Sequence, residues 1–145
     1  MKKLILKFNK LTDNGKSVAL LGLRLILAYG FYITAKVKCD DINSVAEWFG
    51  SIGIPAPKFN AYLAATTEMA GVFLLLFGLG VRFISIPLII TMLVAIKTAH
   101  WGNGFAASDN GYEIPLYYVL MLLTLTTFGG GKLSADYLIE RFPKK

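Results

Sequence analysis

Two ionisable residues stand where an apolar chain is least able to hold them. Arg24 interrupts one long nonpolar run and Glu68 lies near the middle of a second. Inside a membrane helix each would cost about 2.5–3.5 kcal/mol by insertion scales, so each needs a partner or serves a ligand. If the two helices are antiparallel, at 1.5 Å per residue Arg24 stands about 10 Å and Glu68 about 18 Å from the same membrane edge. The reach of an arginine side chain then makes an Arg24–Glu68 ion pair the expectation. Such a pair either holds two helices in register or belongs to a site that binds a polar ligand or moves protons. A second polar group forms from Lys97 and His100, three residues apart, and Glu113 beyond the loop Gly102-Asn103-Gly104. A cation, an imidazole and a carboxylate at one level suit a proton relay or an anionic ligand site. Alternatively, Lys97 snorkels to the interface while His100, Trp101, Tyr112, Tyr117 and Tyr118 form part of an aromatic belt.

What these residues could do is narrowed by what accompanies them. One His and one Cys exclude a bis-histidine haem, an iron–sulfur cluster and a redox disulfide within one chain, and no metal site is expected. No phosphate-binding Walker loop, dinucleotide fingerprint or Ser/His/Asp order is present. Arg24, Glu68, Lys97, His100 and Glu113 are therefore candidates for ligand binding or a polar network. No catalytic residue is assigned, and no covalently bound cofactor is expected.

The elements that must position them follow from composition. The 145 residues are 55% hydrophobic and 17% charged, against about 45–50% and 25% in a soluble domain. The expectation is an all-α integral membrane four-helix bundle, one domain over residues 1–145, with spans at about 17–36, 59–79, 83–101 and 112–128. Helices are required because a lipid-facing backbone must satisfy its own hydrogen bonds, and these runs lack the alternation of barrel strands. Short interfacial helices are expected at the N-terminus, in the first outer loop and at the C-terminus. Near the N-terminus, Leu4, Ile5, Phe8 and Leu11 share an arc opposite Lys2, Lys3, Lys7 and Lys10, as in a helix lying on a leaflet. In the first loop, Ser44 is the expected cap of a helix carrying Trp48 and Phe49, and Gly53-Ile54-Pro55-Ala56-Pro57 then ends it. That helix either closes the outer face or forms a lid over a pocket. Residues 134–142 read as an amphipathic tail with Tyr137, Leu138 and Phe142 toward the membrane.

The net charge of +6 reads as membrane anchoring and not nucleic-acid binding, because the basic residues mark the ends of the chain. Four crossings place the Lys-rich N-terminus, Arg82, Lys132 and Arg141 on one side, which the positive-inside rule makes cytoplasmic. Arg24 within the first run, with no small-residue cleavage site after it, favours a retained helix over a cleaved signal peptide. On the second span Ala61, Ala64, Ala65, Glu68 and Gly71 share a face, so Glu68 should point into protein, away from lipid. Pro87 should bend the third span, while Pro115 in the first turn of the fourth is harmless.

Leu23-Arg24-Leu25, the loop from Trp48 through Pro57, and Glu68-Met69-Ala70-Gly71 through Leu79-Gly80-Val81-Arg82 together resemble the DoxX family of small membrane proteins. Ala99-His100 and Gly111-Tyr112-Glu113-Ile114-Pro115-Leu116-Tyr117 extend the resemblance, which covers residues 17–138. It implies a four-helix bundle in a prokaryotic cytoplasmic (inner) membrane and, for the namesake, a small subunit of a thiosulfate:quinone oxidoreductase. Other members are implied in membrane oxidoreductase or thiol and oxidative-stress complexes. Distantly similar proteins act as assembly chaperones or cargo receptors, so the fold alone does not fix the function. By this pattern Arg24, Glu68, His100 and Glu113 match polar family positions. Where members often have Gly before Lys at the end of the first span, this chain reads Thr34-Ala35-Lys36, leaving Lys36 or Lys38 for that position. One reading is thus a quinone-interacting oxidoreductase subunit whose redox centres lie in a partner. The other is a non-catalytic scaffold, assembly chaperone or lipid-binding protein. The lipid bilayer is the common partner of both, and small-residue faces permit a homo-oligomer.

Overall fold

In the computed structural model the apolar runs are helical. The structure describes residues 2–142, with side chains described from Gly15 onward. In chain order the helices are α1 (Lys2–Asp40), α2 (Ile42–Ser51), α3 (Pro57–Phe77), α4 (Val81–Ala95), α5 (Glu113–Phe128) and α6 (Ala135–Arg141). Between α4 and α5 the chain makes a π-helical turn, Ile96–His100, and two 3-10 turns, Trp101–Asn103 and Ala107–Asp109. The amphipathic face expected over residues 1–11 lies outside the described side chains.

Gly15–Asp40, Pro57–Phe77 and Val81–Asn103 are each long and apolar enough to cross a membrane. The fourth expected span, α5, is apolar but has 16 residues, a length of about 24 Å against a hydrocarbon core of about 30 Å. It packs extensively on α4 and also reaches α1, while α1 lies along α3. Leu27 and Phe31 of α1, Leu75 of α3, Leu88 of α4 and Leu122 and Leu125 of α5 form the shared core. The outside is apolar as well: Phe59, Phe73, Phe77 and Phe83 are all exposed. Buried Arg24 and Glu68, each 1% exposed, reverse the usual distribution of a water-soluble protein, as expected where lipid is the solvent.

Small residues set the helix contacts. Ala61, Ala65, Glu68 and Gly71 are buried on one face of α3, as the spacing predicts. At Gly71 a Cβ would lie 2.8 Å from Leu88 Cδ1, so α3 approaches α4 closely where it carries no side chain, and a larger residue there would require Leu88 to shift.

Several boundaries differ from the expectation. α1 continues to Asp40, one turn beyond Lys36, which places Lys38 on the helix four residues after Thr34. The first-loop helix is present, but its N-cap is Asp41 and not Ser44; the Ser44 amide and hydroxyl donate to the Asp41 carboxylate at 3.1 and 2.6 Å. Pro87 is inside α4, and the change of helical pitch comes later, at Ile96.

At one end of the helices α3 and α4 are joined by the tight turn around Gly78 and Gly80. There Gly78 adopts φ +70 and sits against the Arg24 guanidinium and Ser134, so this position excludes a side chain both by conformation and by space. α6 is tied to the same turn: the Asp136 carboxylate accepts from Gly80 N (2.7 Å) and Val81 N (3.1 Å), and Asp136 N donates to Gly78 O (3.0 Å). The opposite end carries the long loops, with α2 packed on the first turns of α3 through Ala46, Phe49 and Ala61.

Candidate functional site

A cavity of about 640 Å³ opens in the long-loop half of the helices. α1 contributes Phe31, Thr34 and Lys38, α2 contributes Trp48 and Phe49, and α3 contributes Glu68. The wall from α4 and the π turn ends at His100, and Tyr118 comes from α5. Phe31 and Tyr118 meet edge to face with ring centroids 5.5 Å apart. Gly30 makes room for the Tyr118 hydroxyl. The lining is mostly apolar, with a few polar groups concentrated at Glu68 and His100, the composition of a small-molecule pocket.

The polar base of the cavity is built on one carboxylate. Glu68 Oε2 accepts from Lys38 Nζ at 2.9 Å and from Thr34 Oγ1 at 2.9 Å. Thr34 and Lys38 reach it together because residues four apart share a helix face. Glu68 side-chain exposure is 2% and that of Lys38 is 17%, so the ammonium is the half of the pair in touch with the outside. Across the cavity His100 Nδ1 lies 2.8 Å from the Asn110 carbonyl. A carbonyl only accepts, so Nδ1 carries a proton and donates to it.

The expected Arg24–Glu68 pair does not form. Arg24 Nη2 donates to the Leu133 carbonyl at 2.7 Å, and its guanidinium packs at Gly78 in the tight-turn end. The reason lies in side-chain direction. Every Cβ leans toward its own helix N-terminus, so on antiparallel α1 and α3 the two side chains point away from each other along the axis. Reach therefore widens the gap that it was expected to close. Arg24 Nε and Nη1 are buried with no hydrogen-bond partner among the described residues.

Lys97, His100 and Glu113 are not brought into one relay. Lys97 is exposed on the π turn, and His100 lines the cavity. Glu113 holds the loop instead: Oε2 accepts from Ala107 N at 2.9 Å and Oε1 from the Tyr117 hydroxyl at 2.8 Å. Trp101 stacks on Tyr112 with centroids 5.4 Å apart, whereas Tyr118, expected in the same belt, lines the cavity. Thr34 is absent from the candidates that the sequence offers, and Lys38 stands among them only as the alternative to Lys36. Their four-residue spacing was the available signal, hidden by ending the first helix at Lys36.

The DoxX family model matches residues 19–101, the stretch that includes Arg24, Thr34, Lys38, Glu68 and His100. An uncharacterized protein of Haemophilus influenzae is 38% identical over 94% of this chain and 93% of its own length. A Bacillus subtilis protein named "Putative oxidoreductase CatD" is 33% identical over 73% of this chain and 78% of its own. No solved structure matches. With helices apolar and long enough to cross a bilayer, and a family match over more than half its length, the chain is a membrane protein that belongs to the DoxX family.

Proposed function

We propose that the cavity binds the polar head of a quinone or quinol, and that the protein serves as a small membrane subunit of a quinone-linked oxidoreductase or thiol and oxidative-stress complex. The observation that carries this reading is the placement of Glu68 at the base of an otherwise apolar cavity. Its Oε2 is engaged by Lys38 and Thr34, which leaves Oε1 to accept from a ligand hydroxyl. His100 Nε2, in the neutral ring, supplies a second acceptor on the other wall. Two acceptors in an apolar slot suit a ring with two hydroxyl groups, and the lipid-soluble tail of such a molecule suits the surroundings. The quinol, when bound, would supply the two-electron chemistry; the chain's residues orient its head and accept hydrogen bonds from its hydroxyls. The name of the Bacillus subtilis relative supports an oxidoreductase setting.

In this reading residues 1–145 form one four-helix unit of the cytoplasmic membrane, with α5 as the fourth span and both termini inside. Arg82, Lys132 and Arg141 then face the cytoplasm, and α2 and α6 lie at the two interfaces. Trp48 lines the cavity and reports on occupancy. Titration of lipid-reconstituted protein with a short-tailed benzoquinol, kept reduced, should quench its fluorescence saturably, and Glu68→Gln should weaken the apparent affinity about tenfold, the loss of one charge-assisted hydrogen bond. Linear, unsaturable quenching, identical in both proteins, would instead support a non-catalytic scaffold, assembly chaperone or lipid-binding role.

A further inference from the structure

A second cavity, of about 510 Å³, lies at the tight-turn end, remote from Glu68 and His100. Three cations from three separate elements line it: Lys16 from α1, Arg82 from the start of α4, and Lys132 from the loop between α5 and α6. All three are exposed, and each has a different neighbour. Lys16 Nζ stands 4.4 Å above the Phe128 ring. Arg82 lies against Gly129, where φ is +74 and a Cβ would come 3.1 Å from Nε. Lys132 is anchored through its backbone, whose N–H donates to Ser17 Oγ at 3.3 Å.

The negative groups nearby offset part of this charge without pairing with it, two carboxylates against three cations. Asp136 and Glu140 also line the cavity, but both Asp136 oxygens are occupied by the Gly80 and Val81 amides. Glu140 is exposed, and no described carboxylate lies within ion-pair distance of Lys16, Arg82 or Lys132. The rim is apolar: Phe83 is 81% exposed and Phe128 51%. Cations converging at the end of apolar helices, beside aromatic side chains that face outward, match a ligand with a phosphate head and a hydrocarbon tail.

We propose that this cavity binds the phosphate of an anionic phospholipid, with the acyl chains running along the exposed Phe83 and Phe128 surface. Lys16, Arg82 and Lys132 surround the headgroup, and Gly129 keeps the space against Arg82 clear.

The test reconstitutes the full chain in an equimolar mixture of phosphatidylcholine and phosphatidylglycerol, releases it gently, and counts retained lipids by native mass spectrometry. The wild type should retain phosphatidylglycerol in preference, and Arg82→Gln with Lys132→Gln should lower that retention about tenfold or more. Lys58→Gln, which removes one exposed charge at the opposite end, should leave it unchanged. If the double variant loses its helical circular dichroism, Lys132→Gln alone carries the comparison. Equal retention by wild type and variant, or an equal loss with Lys58→Gln, would overturn the site. A separate arm adds inorganic phosphate to protein in neutral detergent. Thermal stabilisation matching that of phosphatidylglycerol would overturn the lipid as source and assign the cavity to free phosphate.

Discussion

Lys38 and Glu68 form a pair whose two members are not equally replaceable. Lys38→Met leaves the carboxylate with Thr34 as its sole described partner in a nearly dry position, which should cost about 3 kcal/mol, the low end for breaking a buried pair. Glu68→Gln keeps an acceptor for Thr34, and Lys38, already partly exposed, can extend toward the interface, so about 1 kcal/mol is expected. Thermal unfolding of both variants in detergent checks the order; equal losses would show that the pair is not asymmetric. The sequence made Arg24 and Glu68 visible because charge is costly in an apolar run. It does not reveal their partners, because axial depth leaves out the lean of the side chains. The Leu133 carbonyl that receives Arg24 carries no signature in sequence at all, since every residue has one.

At the scale of elements, α2 depends on a cap that can be titrated. The Ser44 hydroxyl, and then its amide, hold the Asp41 carboxyl below its ordinary value. A carboxyl depressed in the folded state contributes stability that is present above its unfolded pKa of about 3.9 and is lost as pH falls through the lower folded value. Hydrogen exchange at the Ser44 amide should therefore show protection at neutral pH that declines below about pH 4, while Asp41→Ala should lack it throughout. Because α2 carries Trp48 and Phe49 into the cavity wall, fraying there would loosen the long-loop end while the α1–α3 contact persists. The element was legible from Gly and Pro punctuation, but its start was misplaced by three residues because Asp41 and Ser44 are both competent caps. The role of Glu113 was missed for a related reason: a carboxylate at a helix start can serve the adjacent loop as readily as a ligand.

Across the whole molecule, the three long spans and the small-residue face of α3 follow directly from hydrophobic run length and spacing. α5, the expected fourth span, is shorter than the hydrocarbon core and is held by its packing on α4. A four-crossing arrangement with both termini inside places Cys39, the single and exposed cysteine, on the outer surface. A membrane-impermeant maleimide should label it in intact cells without permeabilisation, and labelling that requires a breached membrane would invert the proposed orientation. The two cavities then face opposite leaflets, a separation that composition could not show because each draws on residues distant in the chain.

The link between Arg24 and Leu133 has a consequence for how the protein is made. Its donor and acceptor are 109 residues apart, and synthesis proceeds at about 5–20 residues per second. The first helix must therefore wait several seconds, its guanidinium served by water or by lipid phosphate, before the chain that will receive it exists. Arrival of the segment carrying Leu133 lets Arg24 settle into the gap at Gly78, so α1 reaches its native surroundings only after a chain segment made much later than itself.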